Sequence, residues 1–364
     1  MAAAIAPSSS EEVIPLNRSA WQQIICWTVL LGIALVWPLS QGWLWFEPER
    51  LAPMQYYLLD PTDAAPITLA RARSQEREQA DILILGSSAA QESLLPPEQL
   101  GAMAGGASIV DLSSSGQNPL ESLFLLTQAP LHRGQQVLFF VGPSLLSQAD
   151  YTARLSNGDF LVDPLPFADS LPASVSKPSA WTEPKQRAAL RYKGTRKLVL
   201  RLLRRAWPVA MRRYLYGAPG IQPQRYYYED VSAAGRTARQ ATQTQRLSHA
   251  LQQYAVGHMH EFPVLLQQIA ARCRDAGARL TVLESPHAVG DTTTLYAPWW
   301  RSYLEMQRQS ALTQGYRYVD LNPRVKLSDT EFTDRLHTDA AGRQRWSNEV
   351  ATWLRKLRAE RGAD

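Results

Sequence analysis

Five short apolar runs recur along the chain, most of them followed by a stretch with helical spacing, and this rhythm limits the possible folds to very few. The runs are "DILIL" (81–85), "SIVDL" (108–112), "QVLFFVG" (136–142), "ARLTVLES" (278–285) and the weaker "YRYVDL" (316–321). Strands buried on both faces read as short, nearly continuous apolar runs of this kind. Helical patterns lie at Pro119–Ala129, Glu261–Ala276 and Pro298–Thr313, and an amphipathic stretch, Ala340–Arg358, closes the chain. The alternation predicts an α/β class fold with a doubly wound parallel sheet of about five strands, its sites at the carboxyl ends of the strands. Between the third and fourth runs the rhythm breaks. Residues 143–258 are rich in Pro, Tyr and Arg and read as an insertion into the α/β domain, which spans 80–360.

The N-terminal part has a different character. Residues 1–20 form an Ala-, Ser- and Glu-rich tail expected to be disordered and cytoplasmic. Residues 21–46 contain "IICWTVLLGIALVWPLSQGWLWF" (24–46), which carries no charge. At ~1.5 Å of rise per residue it spans a hydrocarbon core of roughly 30 Å. Trp21, Trp43 and Trp45 stand at its two ends, where indoles favour the headgroup boundary. No small-x-small cleavage site follows, so the expectation is one uncleaved transmembrane helix rather than a signal peptide. Arg18 and Arg50 flank the segment almost symmetrically, and the charge count leaves its orientation open. Residues 47–79, punctuated by proline, read as a linker. With one of the two cysteines, Cys26, in the apolar segment and the other at Cys273, no disulfide is expected.

The first run ends in "LILGSSAAQ". Gly86 permits a sharp turn, and a serine after it stands where free N–H groups stabilise an oxyanion. Ser87 and Ser88 equally suit capping of the following helix. A serine nucleophile needs a base oriented by a third group. Of the six histidines, His337 alone combines a neighbouring acid with a place beyond the last strand. In "FTDRLHTDAAGRQRW" Asp334 precedes it by three residues, close enough for the carboxylate to hold one ring nitrogen while the other faces a serine. The fold predicted above brings both motifs to the same sheet edge.

With these residues in place, the chain resembles the SGNH (GDSL-like) hydrolase superfamily over residues 81–360, the insertion excepted. It looks most like the membrane-anchored branch of cell-envelope O-acylation, the DltD-like and alginate-acetylation-like proteins. The resemblance implies a flavodoxin-like three-layer α/β/α domain with Ser88 as nucleophile, His337 as base and Asp334 as its orienting acid. It further implies an oxyanion hole from the Ser88 and Gly116 N–H groups, Gly116 lying in "DLSSSGQNP", and it leaves Ser87 at a substrate-binding position. The family's asparagine after the third strand is missing. "VGPSLLS" offers Gly142 and Ser144 instead, and Asn118 is the candidate substitute donor. His287, after the fourth run, is a further candidate for substrate contact, or else only closes a turn.

The implied activity is transfer of an acyl group, by resemblance acetyl, to an exported polysaccharide. Its partners would be a membrane-bound O-acyltransferase on the donor side and the lipid bilayer through the N-terminal helix, the domain facing the periplasm from the inner membrane. The alternatives are an extracytoplasmic esterase or deacetylase, and a catalytically degenerate scaffold in an export complex. No cofactor, metal or nucleic-acid partner is expected.

Other features compete for attention. Residues 185–213 hold eleven basic residues and no acid. Such a helix suits an anionic membrane surface or a membrane partner, and equally a solvated face paired with the domain's own carboxylates. "HMHEF" (258–262) lacks a further ligand at metal-site spacing and reads as a surface cluster at a helix start. "QRYYYEDVS" (224–232) fits sugar stacking or packing of the insertion.

Overall fold

The computed structural model describes residues 64–362 except 129, 149, 157–164, 172–176 and 202–231, together with a few residues between 22 and 32. The expected tail lies outside the described residues. So do most of the expected anchor at 21–46, the tyrosine cluster apart from Ser232, and the later part of the basic stretch. Among the described residues no helix is long and apolar enough to cross a membrane.

Five strands form one wholly parallel sheet: β1 (Ile82–Leu85), β2 (Ile109–Asp111), β3 (Gln136–Val141), β4 (Arg279–Glu284) and β5 (Arg317–Val319). Their order is β2-β1-β3-β4-β5, so the winding reverses between β1 and β3. Seven helices matter for the site: α1 (Ala64–Ala72), α2 (Ser88–Ser93), α3 (Pro97–Met103), α4 (Pro119–Leu126), α5 (Ala233–Asp275), α6 (Ala297–Gln314) and α7 (Ala340–Gly362).

Period-two alternation divides the strand side chains between two cores. Leu83, Leu85, Val137, Phe139, Leu280 and Val282 face α1, α4 and α5. Ile82, Ile84, Leu138, Phe140 and Leu283 face α2, α3 and α7, where Trp346, Val350 and Leu354 cover them. Helices thus cover both faces of the sheet, which is why the strands are apolar throughout. Each such side chain contributes about 1.5–3 kcal/mol on burial.

Two expected boundaries move. The linker at 47–79 ends earlier, because α1 places Ala65, Leu69 and Ala72 in the core. Pro66 misleads here. It lies in the first turn of α1, where a missing N–H costs no helical bond. At the other boundary, α5 runs through residue 258 without interruption for 43 residues, about 65 Å of helix. Pro263 lies within it, yet the apolar positions Leu247, Leu251, Ala255 and Phe262 continue one stripe across it. His258 therefore sits in the middle of a helix and is buried. It stacks on Tyr151 with ring centroids 4.1 Å apart, and Nε2 meets the Gln148 carbonyl at 2.5 Å. It belongs to no surface cluster.

Candidate active site

At the carboxyl edge of the sheet the chain passes from β1 through Gly86 to α2. Gly86 has φ +153°, and a Cβ there would come within 2.8 Å of the Ala90 Cβ and 2.9 Å of the Phe140 Cβ. Only glycine lets β1 turn this tightly against β3. Ser87 caps α2, its hydroxyl accepting from the Ala89 N–H at 3.3 Å. Ser88 opens the helix and is half-buried, and its hydroxyl meets the residues just ahead of α7.

Those residues form a tight turn rather than a helix. The Asp334 carboxylate accepts from the backbone N–H of Leu336 at 2.7 Å and of His337 at 2.9 Å through Oδ1. Its Oδ2 lies 2.8 Å from His337 Nδ1. Burial alone would raise the Asp334 pKa, but the hydrogen bond and charge of His337 and the two backbone N–H groups outweigh it and hold the carboxyl below its ordinary range. An ionised carboxylate only accepts, so Nδ1 carries a proton, and in the neutral ring Nε2 is left as an acceptor. Nε2 lies 2.9 Å from Ser88 Oγ, joining residues 249 positions apart. In this geometry the imidazole accepts from the Ser88 hydroxyl and can take its proton, with the carboxylate stabilising the charge that forms.

Further contacts fix the two halves together. The Glu92 carbonyl in α2 accepts from Thr338 Oγ1 at 3.0 Å and from Arg343 Nε at 2.8 Å, so the serine helix is tied to the histidine turn and to α7. Asp339 caps α7, its Oδ1 accepting from the Gly342 N–H at 2.9 Å.

The neighbouring strand ends flank Ser88. On the β2 side the Ser114 N–H donates to the Gly86 carbonyl at 3.1 Å. The loop continues to Gly116, in the left-handed region at φ +71°, and both Ser115 and Gly116 line the cleft above Ser88. Ser114 Oγ donates to Gln117, and Gln117 to Ser122, which pins this loop at the head of α4. On the β3 side Ser144 lines the same cleft.

Two candidates lie elsewhere. Asn118 is buried and caps α4: Oδ1 accepts from the Glu121 N–H at 3.0 Å and Nδ2 donates to the Tyr151 carbonyl at 2.9 Å. It serves as a cap and does not line the cleft around Ser88. His287 is buried and edge-on to Trp300, with centroids 5.1 Å apart, and does not line the cleft. Burial pushes its imidazole below the ordinary histidine range, against the pull of the Asp320 carboxylate and the Ser285 backbone. Strand order explains the distance: β4 stands two places from β1, about 10 Å away at ordinary strand spacing.

The cleft itself has a volume of about 980 Å³, and one whole wall comes from α5. Arg239, Thr242, Gln243, Arg246 and Tyr254 line it, together with Ser147 and Gln148 from the segment after β3. Sequence reasoning missed this wall by starting the helix at Glu261. The apolar stripe of α5 is the signal that would have found it. Among the described residues no group of three or more His, Cys, Asp or Glu side chains is placed to hold a metal ion. Comparison with protein-family profiles and with curated proteins gives no match to this chain.

Proposed function

We propose that the chain is an SGNH-type serine acyltransferase, with a flavodoxin-like α/β/α domain, that moves an acyl group to a polysaccharide hydroxyl at the cell envelope. The reading is carried by the continuous hydrogen-bonded path from Ser88 through His337 to Asp334. Ser88 Oγ gives its proton to His337 Nε2 and bonds to the acyl carbon of the donor. The tetrahedral oxyanion faces the N–H groups of Ser88 and Gly116. Its collapse breaks the bond to the donor oxygen, which leaves with the proton held by His337. An acceptor hydroxyl then gives its proton to His337, attacks the acyl-Ser88 ester and departs acylated, restoring the serine.

The cleft supports an acceptor larger than water. It is roomy and open, and α5 offers hydroxyl, amide and guanidinium groups beside Ser88, suited to sugar hydroxyls and ring oxygens. Membrane attachment through Ile24–Phe46, periplasmic exposure and a membrane-bound O-acyltransferase as donor partner belong to the same proposal and rest on the apolar segment and the resemblance.

The test supplies the purified full-length protein with p-nitrophenyl acetate, with and without a soluble polysaccharide. Acetyl esters on the polymer, absent with Ser88→Ala, are the expected outcome. Acetate released only to water, at a rate the polymer leaves unchanged, would make the protein an esterase. No turnover by the wild type would make it a scaffold.

A further inference from the structure

Arg335 stands inside the Asp334–His337 turn, and its side chain reaches out to other segments of the chain. Its Nε donates to Thr244 Oγ1 of α5 at 3.1 Å. Its Nη1 lies 3.2 Å from the Asp291 carboxylate in the segment after β4 and 3.2 Å from that of Asp329, ahead of the turn. One guanidinium thereby joins three separate segments around the turn. Asp291 is almost wholly buried, and burial raises its carboxyl to about 6 against the charge of Arg335.

The helix α5 reinforces the same turn at regular intervals. Gln240 Nε2 donates to the Asp329 carbonyl at 2.9 Å and to the Phe332 carbonyl at 3.3 Å. Arg236 bonds the Thr330 carbonyl and pairs with Asp339 at 3.2 Å. Residues 236, 240 and 244 follow one another by four and so share one stripe of the helix. Arg239, Thr242, Gln243 and Arg246 face the cleft from the adjoining surface.

We propose that Arg335 is a positioning residue that, braced by the α5 stripe, keeps His337 at attacking distance from Ser88. Thr338 and Arg343 tie the turn to α2 through the Glu92 carbonyl. Arg335, Gln240 and Arg236 hold it from the other side, against α5 and the segment after β4. The inference rests on the acyl-transfer reading for its kinetic consequence, because a misplacement of about 1 Å costs a catalytic group on the order of a hundredfold.

The test compares Arg335→Met, Arg335→Lys and the double variant Gln240→Leu/Thr244→Val in the full-length protein. The last keeps the question open to refutation if Arg335→Met does not fold. Expected are a fall of about 10- to 100-fold in kcat on p-nitrophenyl acetate for Arg335→Met with KM nearly unchanged, recovery to within about fivefold for Arg335→Lys, and a smaller fall for the α5 pair. Proton NMR supplies a readout independent of turnover: the low-field His337 Nδ1 proton, held by Asp334, should broaden or vanish in Arg335→Met and persist in Arg335→Lys. A lowered melting temperature with kcat and the low-field proton unchanged in the folded variants would overturn the inference. A wild type without turnover would remove the enzymatic reading while the NMR comparison still decided whether Arg335 places His337.

Discussion

Glu284 ends β4 completely buried, and the hydroxyls of Tyr303 and Tyr318 donate to its Oε2 at 2.8 and 2.9 Å. Burial pushes its carboxyl well above the ordinary range. The nearby Asp320 adds to this, and the two tyrosine bonds only partly offset it. The folded state therefore favours the protonated form. The associated stability is complete below the unfolded carboxyl value of about 4.3 and is lost as pH rises toward the raised folded value. Glu284→Gln keeps an acceptor for both tyrosines and removes the titration. Its melting temperature should exceed that of the wild type by at least about 2 °C at pH 7.5, with a gap that closes toward pH 4. A variant less stable than the wild type at pH 7.5 would contradict this account of β4.

Residues of this kind also divide what a sequence exposes from what it conceals. Ser88, Asp334 and His337 are legible because glycine-serine after a strand and D-x-x-H before a closing helix are local patterns, and sheet topology does the rest. Asn118 and His287 mislead because proximity along the chain, or a place after a strand, says nothing about where an amide or ring is already committed. Asn118 is taken by a helix cap and a carbonyl, and the His287 ring packs edge-on against Trp300, two strands away.

At the scale of elements, the five strands stand where the apolar runs predict, and α5 is the element the sequence hides. It covers the sheet with one part and walls the cleft with another. Phe262 stacks on Phe139 of β3 at a centroid distance of 6.4 Å, with both rings buried. Removing the Phe262 ring leaves a cavity under the sheet, and Phe262→Ala should cost about 3–5 kcal/mol in urea unfolding. A loss below about 1 kcal/mol would mean that α5 is not part of the core. The misplaced helix start has a physical origin. The first half of α5 is Ala-, Gln- and Thr-rich with a sparse apolar stripe, as suits a helix that faces a cleft, and such a stripe is weaker to the eye than the packed second half.

Across the whole molecule, the proposed chemistry depends on topology. Winding outward from the β1–β3 reversal brings the start of α2 and the turn before α7 to one edge of the sheet, and the Glu92 carbonyl, Thr338 and Arg343 fasten them there. The most direct test treats the full-length protein with a fluorophosphonate and maps the adduct by mass spectrometry. The expected result is one adduct per chain, on Ser88, abolished by Ser88→Ala and reduced at least about a hundredfold in rate by His337→Ala. Labelling that survives Ser88→Ala, or none in the wild type, would contradict it.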